Sequence, residues 1–129
     1  MAKQNLNDLL RLMARLRAPG GCPWDRRQTH KSLVRHLKEE SAEVALAIRK
    51  NDPDNLCEEL GDLLHQIVFH AQLAREKKRF TMADVIDGLC RKIVRRHPHV
   101  FGKKKLKSVK EVMVQWEEIK RREKARKKR

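Results

Sequence analysis

Two neighbouring stretches of the chain decide how it folds: LKEESAEVALAI at residues 37–48 and NLCEELGDLLHQIVFHA at residues 55–71. Each stretch has apolar residues at helical spacing and therefore predicts an amphipathic α-helix. In the first helix Glu40 lands in the middle of the apolar stripe, and Glu43 lies at its edge one turn later. The stripe itself consists of Leu33, Leu37, Val44 and Ile48. Acidic residues are therefore expected where core residues normally lie.

The second helix repeats this arrangement, with Glu59, Asp62 and Gln66 on one flank of its apolar stripe. That stripe consists of Leu56, Leu60, Leu63, Leu64, Ile67, Ala71 and Ala74. Further apolar residues lie off the stripe, namely Val68, Phe69 and Leu73. A helix that is apolar on more than one side is either central in its domain or shared with another subunit. The sequence therefore argues against an isolated monomer and leaves a homodimer and a homotetramer both open.

The paired carboxylates predict a bound metal ion. Crowded carboxylates repel one another and resist desolvation, so without a counter-ion they would raise their own pKa values and destabilise the fold. Oxygen ligands without convergent His or Cys favour Mg²⁺, with Mn²⁺ as a substitute, over zinc. The alternative is an ordinary solvated face that forms ion pairs with Lys and Arg. The position of Glu40 inside an apolar stripe, and the matching spacing on the next helix, favour the metal.

The composition indicates one all-α domain with a strong positive charge. The chain has 129 residues, only 4% aromatic residues and a formal net charge of +15. From Lys103 onward there are 13 Lys and Arg against 4 Asp and Glu. Such a basic protein favours anionic partners, among which nucleotides and nucleic acids both qualify. The three cysteines share no metal-binding or disulfide spacing, and no apolar run is long enough to span a bilayer, so we expect a cytoplasmic protein without a membrane segment.

The remaining helices are predicted from periodicity and capping residues. A first helix covers residues 5–17, a loop reading GGCPWDRRQTH follows, and the helix with Glu40 should run from about His30 to Lys50. Asp52 is expected to cap the helix that runs from Pro53 to about Lys77. Thr81 with Asp84 predicts a fourth helix, which extends to about Arg96 and ends before Pro98, and Ser108 with Glu111 predicts a last one. Residues 120–129 are nearly all charged and are expected to fray.

Several residues outside the acidic pairs are candidates for contacts with a nucleotide. Trp24, in a loop flanked by Arg, either packs in the core or stacks on a base. Lys92, Arg95 and Arg96 lie at one-turn spacing and form either a solvated basic face or a set of cations that neutralises phosphate. The histidines show no zinc-ligand spacing, and no Gly-x-x-x-x-Gly-Lys phosphate loop is present, which excludes a P-loop NTPase.

Taken together, these motifs resemble the MazG-type nucleoside triphosphate pyrophosphohydrolases. The hallmark of that family, Glu-Glu-x-x-Glu followed after a spacer by Glu-x-x-Asp, stands here as EESAE at residues 39–43 and ELGD at residues 59–62. The strings GCPWD, QTH, VFHA and RRHPHVFG are also similar to the family, so the resemblance covers about residues 6–102. Many members carry two tandem copies of the domain, and the single copy here most resembles the first.

The resemblance implies an all-α fold in which helices of two subunits pair into a four-helix bundle. It implies a pyrophosphohydrolase domain at residues 1–102, followed by a basic helix and tail at residues 103–129. It implies hydrolysis of NTPs or dNTPs to the monophosphate and pyrophosphate, in nucleotide-pool housekeeping. Mg²⁺ would be held by Glu40, Glu43, Glu59 and Asp62, with Glu39 nearby.

Roles for the other residues follow as hypotheses. Glu39 or Glu43 would orient or deprotonate the attacking water. The phosphate charge would be neutralised by Lys38, Lys92, Arg95 and Arg96, and Trp24 and His30 would lie on the base side of the pocket. The rival interpretation is a nucleic-acid-binding module that uses the basic tail, and a third is a catalytically weak regulatory relative of the enzymes. The nucleic-acid interpretation leaves the crowded acids unexplained, and the presence of all four ligand positions argues against the third.

Overall fold

The computed structural model describes residues 2–127, in which all regular secondary structure is helical, as predicted. Residues 1, 128 and 129 lie outside the described part, including the end of the tail that was expected to fray. The helices are α1 Leu6–Arg17, α2 Pro23–Arg27, α3 Val34–Arg49, α4 Pro53–Glu76, α5 Met82–Arg96, α6 Pro98–Phe101 and α7 Val109–Lys127. Among the described residues, no helix combines the length and the apolar character needed to cross a membrane.

The described residues form two compact units, one that ends at Met82 and one that begins at Ala83. The first contains α1 to α4, and the second contains most of α5 together with α6 and α7. The family resemblance implies a different kind of boundary, the end of the family's domain after residue 102. This boundary stays a prediction.

Side-chain caps begin several helices where the sequence predicts them. The Asp52 carboxylate accepts a hydrogen bond from the Asn55 backbone N–H at 3.2 Å, and Pro53 occupies the first turn of α4. At α7 the Glu111 backbone N–H donates to Ser108 Oγ at 3.2 Å. These bonds satisfy backbone N–H groups that have no partner inside the helix, so the predicted starts of α4 and α7 are confirmed.

Helix α4 is the centre of the first unit and packs against both α1 and α3. The core consists of Met13, Leu33, Val68, Phe69 and Leu73, with Leu6, Leu9 and Leu10 packed against it. The expectation that the main apolar stripe of α4 is core is confirmed for its C-terminal residues Ala71 and Ala74, which are buried, and is wrong within this chain for its N-terminal half. Leu60, Leu64 and Ile67 are 50%, 38% and 41% exposed, because α1 and α3 cover the other side of the helix. Ile48, which was also assigned to a core stripe, is exposed as well.

Two helix boundaries differ from the prediction in the segment between α1 and α3. Helix α3 begins at Val34 and not at His30, because Thr29 and Ser32 form a local turn. In that turn the Thr29 N–H donates to Ser32 Oγ at 2.8 Å, and the Ser32 N–H donates to Thr29 Oγ1 at 3.0 Å. Part of the predicted loop also forms the short helix α2, with Pro23 in its first turn. Ser and Thr side chains that bond nearby backbone groups compete with helix in this way.

In the second unit, α7 continues to Lys127, so the expected fraying from residue 120 is wrong for the described part. Glu123 accepts hydrogen bonds from Arg95 Nε at 2.6 Å and from Arg96 Nη2 at 2.8 Å. The Arg96 guanidinium also lies 5.1 Å from the centre of the Trp116 ring. These contacts with α5 stabilise the C-terminal half of α7 despite its many like charges.

Candidate metal and nucleotide site

A tight turn brings the two acidic helices together. Asn51 takes a left-handed conformation with φ of 52°, which asparagine tolerates better than most residues. Asp52 then caps α4, so the chain reverses between α3 and α4 within three residues. The two helices pack against each other, which places acids that are about twenty residues apart in sequence in one site.

Three of the predicted metal ligands converge at this site. Glu40, Glu59 and Asp62 each have a carboxylate oxygen, and these three oxygens all lie within 4.8 Å of one another. Glu40 and Glu59 are half-buried and Asp62 is exposed, so the acids lie at the rim of the helix pair and not inside the core. Glu43 does not belong to this group of three and is exposed. An oxygen cluster of this size is the geometry that a single divalent ion can bridge.

The electrostatics of the site confirm that the carboxylates are crowded. The pKa of Glu59 is raised above its ordinary value, first by desolvation and then by repulsion from other acids. The repelling carboxylates are those of Asp62, Glu43, Glu40 and Glu58. Within residues 2–127 no hydrogen bond or ion pair compensates the carboxylates of Glu40, Glu43, Glu59 or Asp62. Negative charge therefore accumulates at one place without a protein counter-ion.

These properties fit a hard divalent cation. All donors at the site are carboxylate oxygens, which suit Mg²⁺ or Mn²⁺, and no His or Cys belongs to the group. A cation would remove both the repulsion between Glu59 and its neighbours and the cost of desolvating the carboxylate.

The other two residues predicted on this part of α3 lie at its surface. Glu39 is exposed, with Oε1 3.8 Å from Arg35 Nε and Oε2 3.9 Å from His36 Nδ1. Both contacts are long, so they hold the Glu39 carboxylate only weakly. Lys38 is exposed and has no partner among the described residues.

The segment before α3 places an aromatic ring close to the acidic helices. Trp24 is 50% exposed, and its ring makes edge contacts with His36 at 5.6 Å and with Phe69 at 6.4 Å between centroids. His36 lies one turn before Glu40 on α3, so Trp24 is near the carboxylate cluster. Half of the Trp24 surface is therefore accessible to a ligand, whereas a tryptophan that served only as a core residue would be buried. Sequence reasoning missed His36, although its four-residue spacing from Glu40 was a usable signal.

His30 has a partner that the sequence did not indicate. Its Nδ1 lies 2.8 Å from His70 Nδ1, and the two rings are nearly parallel. Burial lowers the pKa of His70, and the neighbouring His30 lowers it further, so the neutral form is favoured. Because the Nδ1 of His30 is engaged in this pair, only the rest of its ring remains available to a nucleotide.

The predicted phosphate-binding cations belong to the second unit. Arg95 and Arg96 both donate to Glu123, whereas Lys92 is exposed and has no partner among the described residues. Their contact with a substrate phosphate stays a prediction.

Comparison with known proteins identifies the family to which the chain belongs. The model of the MazG nucleotide pyrophosphohydrolase domain matches residues 28–101, more than half of the chain, including both acidic helices. The chain belongs to the MazG nucleotide pyrophosphohydrolase domain family. The family resemblance drawn from the motifs is thereby confirmed.

Relatives within the MazG family match nearly the whole chain. One is a Thermotoga maritima protein named nucleoside triphosphate pyrophosphohydrolase/pyrophosphatase MazG, 52% identical over 94% of this chain and 46% of the relative. Another is the Escherichia coli K12 nucleoside triphosphate pyrophosphohydrolase, 46% identical over 95% of this chain and 47% of the relative. The chain thus spans about half the length of these curated relatives.

The fold is also similar to that of a solved structure in the MazG family. The crystal structure of a mazG-related protein from Thermotoga maritima superimposes with a TM-score of 0.73 at 33% identity. The match covers 90% of this chain and 99% of that chain, so the likeness in fold extends over nearly the full length of both.

Proposed function

We propose that this chain hydrolyses nucleoside triphosphates, NTPs or dNTPs, to the monophosphate and pyrophosphate, with Mg²⁺ bound by the carboxylates of α3 and α4. The observation that carries the proposal is the convergence of Glu40, Glu59 and Asp62 without a counter-ion in the part of the chain that the structure describes. The T. maritima and E. coli relatives are named for nucleoside triphosphate pyrophosphohydrolase activity, which supports the same reaction. Such a reaction fits nucleotide-pool housekeeping in the cytoplasm, with Mn²⁺ as a possible substitute ion.

The three convergent acids would hold the ion, and Glu43 would complete the set from the next turn of α3. The bound ion supplies Lewis-acid neutralisation of phosphate charge. Because the acids come from two packed helices, their separation is set by the helix contact and not by a flexible loop.

A carboxylate that is not needed for the ion would take the proton of the attacking water. Glu39 is one candidate, and Glu43 is the alternative in the case that the three convergent acids hold the ion without it; both are exposed, and neither is held by a short ion pair. The water oxygen bonds to phosphorus at the α–β junction, the bridging P–O bond breaks, and pyrophosphate leaves. The candidates for neutralising the departing charge remain Lys38, Lys92, Arg95 and Arg96.

The base would lie against the exposed part of Trp24, next to His36. Aromatic stacking tolerates any base, so this contact contributes affinity more than discrimination. His30, which is tied to His70, would form part of the wall behind it.

A second copy of the chain is the partner that the apolar surface of α4 supports. Leu60, Leu64 and Ile67 share one face and remain exposed in the single chain. Burying this face against its counterpart would build a bundle of helices from two subunits, as a homodimer or within a homotetramer.

A nucleic-acid-binding role is the second candidate. Its support is the basic helix α7, which remains helical to Lys127 and presents several unpaired cations. It leaves the crowded acids of the first unit unexplained, because an acidic face repels phosphate unless a metal ion is bound.

The decisive experiment is a panel of NTPs and dNTPs with Mg²⁺ and with chelator, in which monophosphate, pyrophosphate and orthophosphate are measured separately. Monophosphate and pyrophosphate in equal amounts, lost in chelator, are expected. Diphosphate with orthophosphate would show that a different bond is cut. A gel-shift titration with duplex and single-stranded DNA at rising salt, on the same preparation, tests the rival. Tight binding without nucleotide hydrolysis would favour it.

A further inference from the structure

A cleft in the second unit is lined mainly by arginine side chains. It has a volume of about 250 Å³ and lies where the C-terminal end of α5 and the start of α6 meet the C-terminal half of α7. All of its lining residues belong to the second unit, and it is called the arginine cleft below. The lining consists of Arg95, Pro98, Ile119, Arg122, Glu123 and Arg126.

The lining residues of α7 share one face of that helix. Ile119, Arg122, Glu123 and Arg126 follow the spacing i, i+3, i+4 and i+7, which covers one side of two successive turns. Arg122 and Arg126 are therefore like charges one turn apart, an arrangement that destabilises a helix unless an anion relieves it. Arg95 lines the same cleft from α5. Three guanidinium groups from two helices thus share one concave surface.

The guanidinium groups of the arginine cleft keep N–H donors for a ligand. Arg95 donates through Nε to Glu123 at 2.6 Å, and Arg122 donates through Nη2 to Glu118 at 2.6 Å. Because a guanidinium carries five N–H donors, each of these two side chains has several left. Arg126 has no hydrogen bond or ion pair with any of residues 2–127. The cleft therefore offers donors from all three arginines.

The net charge of the arginine cleft is positive. Its one carboxylate, Glu123, already accepts hydrogen bonds from Arg95 through Oε2 and from Arg96 through Oε1. With three guanidinium groups and this carboxylate, the lining carries a formal charge of +2. Arg96 and Glu118, which pair with members of the lining, add one charge of each sign and leave that value unchanged. Two negative charges would neutralise the cleft.

The size and the donors of the cleft favour a small phosphate anion. A volume of about 250 Å³ is below the range of roughly 300–1,000 Å³ for pockets that enclose a drug-sized ligand, so a phosphate group fits better than a whole nucleotide. The planar guanidinium fork matches two phosphate oxygens at once. Pro98 and Ile119 are half-buried and add apolar surface, which lowers the local dielectric and strengthens such bonds.

We propose that the arginine cleft binds a terminal phosphate group, which carries two negative charges, from inorganic phosphate, pyrophosphate or a phosphomonoester. A dianion matches the charge of the lining, whereas a phosphodiester supplies only one negative charge. Binding here requires no metal ion, unlike phosphate binding at the carboxylates of α3 and α4. It is therefore independent of the proposed hydrolysis, and a chain that releases no pyrophosphate would leave the following test unchanged.

The test is isothermal titration calorimetry of the full chain without divalent ions. The protein is passed over a chelating resin, so that no metal links phosphate to the acidic helices; a soluble chelator is avoided because its own carboxylates would compete for the arginines. Orthophosphate, pyrophosphate and AMP are titrated at pH 8, where a phosphomonoester is a dianion. Cyclic AMP is the matched phosphodiester, and AMP is expected to bind about fivefold more tightly, because it brings one more charge to the cleft.

Two variants assign the binding to the cleft. Arg122→Gln and Arg126→Gln should each weaken pyrophosphate binding by about fivefold, the value of one charged contact at a partly exposed site. Arg121→Gln is the matched control, since Arg121 is exposed on the same helix outside the lining, and it should change the affinity by less than about twofold. Arg126→Lys keeps the charge without the fork and should recover only part of the affinity.

Circular dichroism checks that α7 is intact in each variant. Arg126 has no partner among the described residues, so its replacement removes no contact of the fold and isolates the loss of binding. A loss for pyrophosphate alone would support the proposal with a free inorganic anion as the ligand, and a loss for AMP as well would support it with a phosphomonoester.

Four results would overturn the proposal. The metal-free chain could bind neither orthophosphate nor pyrophosphate. All three Arg→Gln variants could lose affinity equally, because binding would then follow the overall charge of α7. Cyclic AMP could bind as tightly as AMP, which would contradict the match with a dianion. Finally, a single-stranded oligonucleotide with a 5′-hydroxyl could bind more tightly than pyrophosphate and weaken in Arg122→Gln and Arg126→Gln, because the cleft would then hold backbone phosphodiesters.

Discussion

The side chains of Arg17 and Glu76, at the C-terminal ends of α1 and α4, form a two-pronged ion pair. Arg17 Nε donates to Glu76 Oε2 at 3.0 Å and Arg17 Nη2 donates to Oε1 at 2.7 Å. The third nitrogen, Nη1, donates to the backbone carbonyl oxygens of Asp25 at 2.5 Å and Gln28 at 3.2 Å. One guanidinium thus connects the first helix, the central helix and the segment that carries Trp24.

Arg17→Lys should therefore weaken both the fold and the site. A lysine ammonium cannot bond two helices and two carbonyl groups with the same planar geometry. We expect a loss of about 1–2 kcal/mol in the free energy of unfolding by urea, limited by the partial exposure of Glu76, and a several-fold higher KM for nucleotides as the Trp24 segment loosens. Arg15→Lys, on the exposed side of the same helix, should change neither quantity. Equal stability of the two variants would show that the connection is unimportant.

Glu40→Gln tests the metal site directly. Replacing one convergent oxygen anion by an amide should reduce Mg²⁺-dependent pyrophosphate release by about a hundredfold or more, because both the affinity and the position of the ion depend on it. The helices should remain intact by circular dichroism. Glu58→Gln is the matched control, since Glu58 is an exposed acid of α4 outside the converging group. Wild-type turnover by Glu40→Gln would refute the assignment of the metal site.

The raised pKa of Glu59 predicts how the metal-free protein responds to pH. A carboxyl group whose pKa is higher in the folded than in the unfolded chain favours folding while it is protonated, and this contribution is lost as pH rises through the folded pKa. In chelator, Glu59→Gln should therefore raise Tm relative to the unmodified chain at pH 7 and change it little at pH 4. With saturating Mg²⁺ at pH 7 the order should reverse. A difference in Tm that is independent of pH would contradict the crowding of charges at this site.

The lowered pKa of Glu123 predicts the opposite pH dependence for the stability of the second unit. Arg96 and then Arg95 lower its pKa to about 2, so its stabilising contribution is complete above the unfolded value of 4.5 and is lost as pH falls toward about 2. Glu123→Gln should lower the free energy of unfolding by about 1 kcal/mol at pH 7 and have no effect near pH 2.

Glu118→Gln is the control for this variant. Glu118 pairs with Arg122, one turn away on an exposed face, and should contribute less than about 0.5 kcal/mol. Comparable losses in the two variants would show that the contact between α5 and α7 adds nothing beyond an ordinary surface pair.

Leu64→Lys tests subunit pairing through α4. A charge in the middle of the exposed apolar face should shift the chain toward monomer in sedimentation velocity, because a buried unpaired ammonium costs several kcal/mol. Val109→Lys is a suitable control, since Val109 is exposed on α7. An unchanged sedimentation coefficient would show that this face is not the interface.

The amino-acid sequence alone determined the all-α fold, most helix boundaries and three of the four acids that were predicted to converge. These features depend on local physics: a period of 3.6 residues places Glu40 and Glu43, or Glu59 and Asp62, on one side of a helix, and Asp52 and Ser108 satisfy N–H groups only a few residues away. Because a short turn packs α3 on α4, the convergence of Glu40 with Glu59 and Asp62 also followed from spacing, whereas Glu43 does not belong to the group.

Only the tertiary structure decided which side of α4 is core, where α3 begins and which polar groups pair. Periodicity shows that Leu73 and Leu64 lie on opposite faces, but it does not show which face α1 and α3 cover. The bonds of Arg17 with Glu76 and of His30 with His70 join residues 59 and 40 positions apart, and no local pattern specifies such partners. The arginine cleft likewise became visible only in the tertiary structure, because its lining joins side chains of α5 and α7.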